Sequence, residues 1–135
     1  MIKKISPEDW FGIILISITF ILFVFLTIEK IDNRKQVANR YDKTIGTIVK
    51  YDIFGDGPNR HVIYEYTVND KIYKRLINGP KKLYDECDED ISLCSQKKFL
   101  VLYSRKYPSK SLIDLTKEID DINEVQIPNS LRNFQ

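Results

Sequence analysis

The sequence predicts a mainly β protein on one membrane anchor: an N-terminal transmembrane helix followed by a small antiparallel β-sandwich or barrel of about five strands. Three observations carry this. Trp10 to Ile28, WFGIILISITFILFVFLTI, is an unbroken apolar run without a charge. Beyond Tyr41 the apolar pattern alternates, rich in β-branched and aromatic residues. Short clusters of Gly, Pro, Asn and Asp punctuate it at strand-length intervals.

Residues 1–9 form a short polar tail led by Lys3 and Lys4. Residues 10–28, at about 1.5 Å rise per residue, match the roughly 30 Å hydrocarbon core of a bilayer. A cleaved signal has a shorter apolar stretch and a small-residue cleavage site. Here the run ends in Leu26-Thr27-Ile28-Glu29-Lys30, with neither an A-x-A pattern nor an adjoining Cys. An uncleaved anchor follows, flanked by Trp10 and Phe11 at one interface and by Glu29 and Lys30 at the other. Residues 29–40, EKIDNRKQVANR, lack Gly and Pro and continue the helix as a stalk.

Residues 41–115 make the β-domain. Thr44 to Phe54 is its first strand, ended by the cluster Gly55-Asp56-Gly57-Pro58-Asn59. Arg60 to Val68 and Lys71 to Ile77 form a hairpin about Asn69-Asp70. In that register Val68 faces Lys71, Tyr66 faces Tyr73 and Glu65 faces Lys74. The last two are an aromatic and an opposite-charge pair, each worth roughly 0.2–1 kcal/mol, and a one-residue slip loses both. After Asn78-Gly79-Pro80, the stretch PKKLYDEC makes one short helix with Pro80 in its first turn, inside an otherwise irregular acidic segment. Lys97 to Ser104 is the most apolar strand, and Ser111 to Leu115 a short last one. Residues 116–135 are a polar tail, interrupted by Pro128 and expected to fray.

Thr44-Ile45-Gly46 opens a strand, Tyr64-Glu65-Tyr66-Thr67-Val68-Asn69 precedes a turn, and Tyr103-Ser104 with Pro108 and Ser111 closes the domain. In these segments the chain resembles a domain-of-unknown-function family of short bacterial single-pass membrane proteins. Tyr107 stands where that family commonly has Asn. The resemblance implies a terminal membrane helix with a small all-β domain, a place in the bacterial envelope, and no particular activity.

Composition narrows the function. Lys and Arg total 21 against 19 Asp and Glu, a net charge of +2, which gives nucleic acid no electrostatic footprint. One His and two Cys are few for metal or nucleophile chemistry, and no cofactor motif is present. Cys87 and Cys94 lie close on one loop, a candidate disulfide; their spacing does not suit zinc, which takes four ligands. Asp85, Glu86, Asp88, Glu89 and Asp90 crowd around Cys87. Without the Gly of an EF-hand loop they form a solvated face or a docking surface for a basic protein rather than a calcium site. Tyr64, Tyr66 and Tyr73 share one hairpin face, as core or as a platform. Arg60 and His61 adjoin a turn that lacks the features of a phosphate loop.

The expected function is therefore that of a non-catalytic module, an envelope accessory or an immunity protein neutralising a toxin, bound to the bilayer and to a protein partner. The alternative is a hydrolase or metal-dependent enzyme built on His61 and the acidic loop, for which no known constellation has the spacing. Topology signals conflict. Lys30, Arg34, Lys35, Arg40 and Lys43 after the helix favour a cytoplasmic domain by the positive-inside rule. The Lys-Lys start and the paired cysteines favour export, and the β-domain is placed outside the cytoplasm. When native membranes are treated with a thiol-alkylating reagent and then alkaline carbonate, the chain should stay in the pellet at full mass with both cysteines unmodified. Release of a chain shortened by its first thirty or so residues would mark a cleaved signal, and double alkylation a cytoplasmic domain.

Overall fold

The computed structural model describes residues 7–53, 60–79, 81–126 and 129–135, excluding the side chains of residues 7–9, 53, 81, 82, 84 and 86. The expected Gly55–Asn59 turn, Phe54, Pro80 and Pro128 lie outside these residues.

Anchor and stalk form one helix, α1 (Pro7–Asn39). It is long and apolar enough to cross a membrane, and its apolar window is not buried. The hydroxyls inside the run are satisfied locally: Ser17, Thr19 and Thr27 donate to the carbonyls of Ile13, Leu15 and Phe23 at 2.7–2.8 Å. That bonding keeps three polar groups from facing lipid unpaired. The chain divides inside α1 into residues Met1–Asn33 and a unit Arg34–Gln135.

The second unit is built on five antiparallel strands: β1 (Tyr41–Ile53), β2 (Arg60–Val68), β3 (Lys71–Asn78), β4 (Lys98–Ser104) and β5 (Ser111–Glu118). Two short helices, α2 (Lys81–Glu89) and α3 (Ile91–Ser95), join β3 to β4. The strands form one open sheet in the order β3-β2-β1-β4-β5, rather than two stacked sheets or a closed barrel. The hairpin has the expected register, and Asn69 and Asp70 both take positive φ, 50° and 63°, as a type I′ turn requires. Tyr66 and Tyr73 stack with ring centroids 5.6 Å apart. Lys74 Nζ lies 3.4 Å from Glu65 Oε2.

The sheet is strongly curled. Tyr64 on β2 and Ser111 on β5 share a 2.8 Å hydrogen bond between hydroxyls. In a flat sheet three strand spacings, about 14 Å, would separate these strands. A bulge in β1 between Ile48 and Lys50 accompanies this curl. Gly46, between Tyr66 and Phe99 in the ladder, permits the close packing: a Cβ there would stand 2.5 Å from Val101 Cγ2. The concave face holds the main core of Ile48, Val62, Tyr64, Tyr66, Phe99, Val101 and Ile113, closed at one end by Leu83, Cys87 and Cys94 of α2 and α3.

The convex face differs from expectation. The tail does not fray. Ile119 and Phe134 are buried against Leu100, Leu102, Leu112 and Val37, with Ile122, Val125 and Leu131 packed around them. Gln135 exchanges two backbone hydrogen bonds with Ile113, both 3.0 Å, which makes the tail a partial sixth strand beside β5. Two cations tie it down. Arg34 donates to the carbonyls of Leu131 and Phe134, and Lys43 Nζ to those of Ile122 and Val125. Three alternate residues of the sheet's convex face, Leu100, Leu102 and Leu112, need a cover, and the tail supplies it.

Phe134→Ala should therefore lower the unfolding free energy by about 3 kcal/mol, as loss of a buried Phe does, read from chemical denaturation of residues 34–135. A fragment of residues 41–115 should bind a hydrophobic dye that the 34–135 fragment does not. Equal stability of the two fragments would contradict the packed tail.

Candidate interaction surface

The acidic segment is helical and stapled. Cys87 in α2 and Cys94 in α3 are disulfide-bonded, with Cα atoms 5.7 Å apart. Asp90 caps α3, its Oδ1 accepting from Ser92 N at 2.8 Å. Asp88 turns toward the sheet, accepting from Tyr51 Oη at 2.9 Å and from Arg60 Nη2 at 3.0 Å. The hydrogen bond from Arg60, followed by that from Tyr51, holds the Asp88 carboxyl below its usual range. Of the five acidic residues proposed for docking, Asp88 and Asp90 therefore serve the fold. Asp85 and Glu89 are exposed, and the Glu86 side chain lies outside the described residues.

His61 stands in β2 in register with Asp52 and Asn78, while Cys87, the cysteine within the acidic segment, is in the disulfide and offers no free thiol. Among the described residues no three His, Cys, Asp or Glu side chains converge as a metal site. Tyr64 and Tyr66 are core rather than platform: Tyr66 Oη donates to the Pro108 carbonyl at 2.7 Å. Burial pushes the Tyr64 phenol up to about 12. Burial and then the Asp88 hydrogen bond do the same for Tyr51.

Sequence reasoning missed two surfaces. One is a cleft of about 550 Å³ beside the tail, floored by Leu100, Ile119 and Phe134 and rimmed by Asp120, Asp121 and Glu124. It exists because the tail packs on the sheet, which its polar composition does not predict. The other is the flank made by the convex side of β2 and β3. The tail covers β1, β4 and β5 on this side. The flank remains bare, with Ile72 60% and Leu76 57% exposed. Beside them stand half-buried Ile63 and the Glu65–Lys74 pair. β3 is also an outer strand, so one side of its backbone has no ladder partner within the sheet. The sequence signal was present in the alternation of KIYKRLIN, where Ile72 and Leu76 share a face opposite to Tyr73 and Ile77.

Comparison with known proteins returns no matching family model, no matching curated protein and no matching solved structure.

The tyrosines set an alkaline limit to stability. Unfolded phenols ionise near 10, whereas Tyr51 and Tyr64 hold their protons to about 12. The unfolded chain then binds fewer protons between these values. The stabilisation is complete below pH ~10 and is lost as pH rises toward ~12. A phenolate absorbance titration should show a late-titrating fraction that shrinks in Tyr64→Phe. A single transition near pH 10 for all tyrosines in the folded protein would refute this.

Proposed function

We propose that this chain is a membrane-anchored, non-catalytic protein-interaction module of the bacterial envelope, with its β-domain outside the cytoplasm and the flank of β2 and β3 as its binding surface. One observation carries the reading: an apolar strip and an unpaired strand edge coincide on β3, while the other half of the same sheet face is covered by the chain's own tail. Strand edges of this kind take up a partner by adding backbone hydrogen bonds, and alternate side chains then set specificity. Two of the acidic groups considered for chemistry are engaged in the fold, with Asp88 held by Tyr51 and Arg60 and Asp90 capping α3. The disulfide supports an oxidising compartment. The likeness to short bacterial membrane proteins supports the envelope as address.

Photoreactive side chains decide the matter. A probe replacing Leu76 in native membranes should give a discrete protein adduct, and one replacing Ser109 should not. His61→Ala should leave the adduct unchanged. Absence of any adduct from Leu76, or a pattern abolished by His61→Ala, would count against an interaction module of this design.

A further inference from the structure

We propose that the occupant of the β3 edge is a second copy of this chain, joined by antiparallel pairing of β3 with its equivalent about a two-fold axis at Lys74. The inference rests on the reading of the β2–β3 flank as a binding surface and names its partner.

The register follows from backbone geometry. In the β2–β3 hairpin the two-residue turn makes Val68 and Lys71 the first hydrogen-bonded pair. Lys71, Tyr73, Arg75 and Ile77 then spend their backbone groups on β2, and the bond from Gly79 N to Arg60 O continues that phase. The N–H and C=O groups of Ile72, Lys74 and Leu76 point out of the sheet edge. These residues also carry the exposed side chains of the convex face. A second β3 centred on Lys74 places Ile72 opposite the partner's Leu76 twice, with roughly six interstrand hydrogen bonds from three such pairs. On the other face Tyr73 lies opposite the partner's Arg75, an aromatic beside a guanidinium.

The side chains of the convex face select this register over its neighbours. Shifting the centre to Tyr73 sets Ile72 against the partner's Lys74 and Lys71 against its Arg75, and shifting it to Arg75 sets Leu76 against the partner's Lys74 and two arginines face to face. Centring on Lys74 also brings two like charges together, but each already has its own Glu65 carboxylate at 3.4 Å. The row across the joint then reads acid, base, base, acid, and the like-charge contact is compensated from both sides. Lysines on an edge strand ordinarily discourage pairing; here Lys74 is paired with Glu65, and its neighbours on the convex face, Ile72 and Leu76, are apolar. A membrane anchor adds to this by confining copies to one plane, where their effective concentration is high.

The full-length chain in its native membrane tests the proposal. Lys74→Cys, treated with a short bis-maleimide, should move to twice 15.9 kDa, because a hydrogen-bonded pair sets its Cα atoms about 5.5 Å apart. Ser109→Cys should not. Adding Ile72→Lys and Leu76→Lys should reduce the cross-link about tenfold. Ile72→Thr with Leu76→Thr, which keeps strand propensity, should give the same loss should the lysine variant fail to fold. Uncross-linked Lys74→Cys overturns the proposal, as does a dimer that survives both flank variants. A discrete adduct of another mass also overturns self-pairing, yet leaves the flank as an interface for a different protein.

Discussion

The hydrogen bond between Tyr64 and Ser111 marks the constraint on which the domain depends: one five-stranded sheet must curl to build the core of the unit Arg34–Gln135. Among the described residues two short helices, α2 and α3, lie between strands and close one end of the concave side, and the strands wrap the rest of the core themselves. Gly46 and the bulge after Ile48 are where that curvature is accommodated. Phe99, Tyr66 and Tyr64 fill the interior, and two of the phenols find oxygen partners at the rim, on Ser111 and the Pro108 carbonyl. A buried phenol without such a partner would cost on the order of 1–3 kcal/mol, so the curl and the polar contacts sustain each other.

Curling leaves a convex back, and its cover is uneven. The end of α1 contributes Val37, and the tail contributes Ile119 and Phe134, all over β1, β4 and β5. The tail has little regular structure, and Arg34 and Lys43 add to its apolar packing by donating to its carbonyls. These two cations belong to the group counted for the positive-inside rule. Their placement gives them a structural reason to be there, which reduces the weight of that count for topology and leaves the disulfide as the stronger argument.

The parts legible in sequence were the local ones. The hairpin could be registered residue by residue because its partners are a few positions apart and its turn chemistry is explicit. The long apolar helix was legible from length and apolarity alone. The tail was not. Ile119, Ile122, Val125, Leu131 and Phe134 follow neither a period of two nor one of 3.6, and their contacts on β4 lie far back in the chain. The first strand begins at Tyr41 rather than Thr44, because Tyr41, Asp42 and Lys43 pair with β4, a partner invisible to local pattern. Five carboxylates in the six positions from Asp85 to Asp90 read as solvated loop or docking face. Asp88 and Asp90 differ from Asp85 and Glu89 only through a sheet residue, Tyr51, and a helix start that composition does not reveal.

The two edges of the sheet make the final contrast. The β5 edge is partly occupied by the chain itself, where Gln135 bonds to Ile113 in the manner of an added strand. Among the described residues the β3 edge has no such cover, although a small domain with two equivalent edges faces the same hazard at both. Ile72 and Leu76 make the exposed edge more adhesive, whereas further charge at those positions would have protected it. A sequence that closes one edge with its own terminus and leaves the other apolar is better explained by use of the second edge than by tolerance of it. That asymmetry, rather than any reactive side chain, is why the functional argument rests on β3.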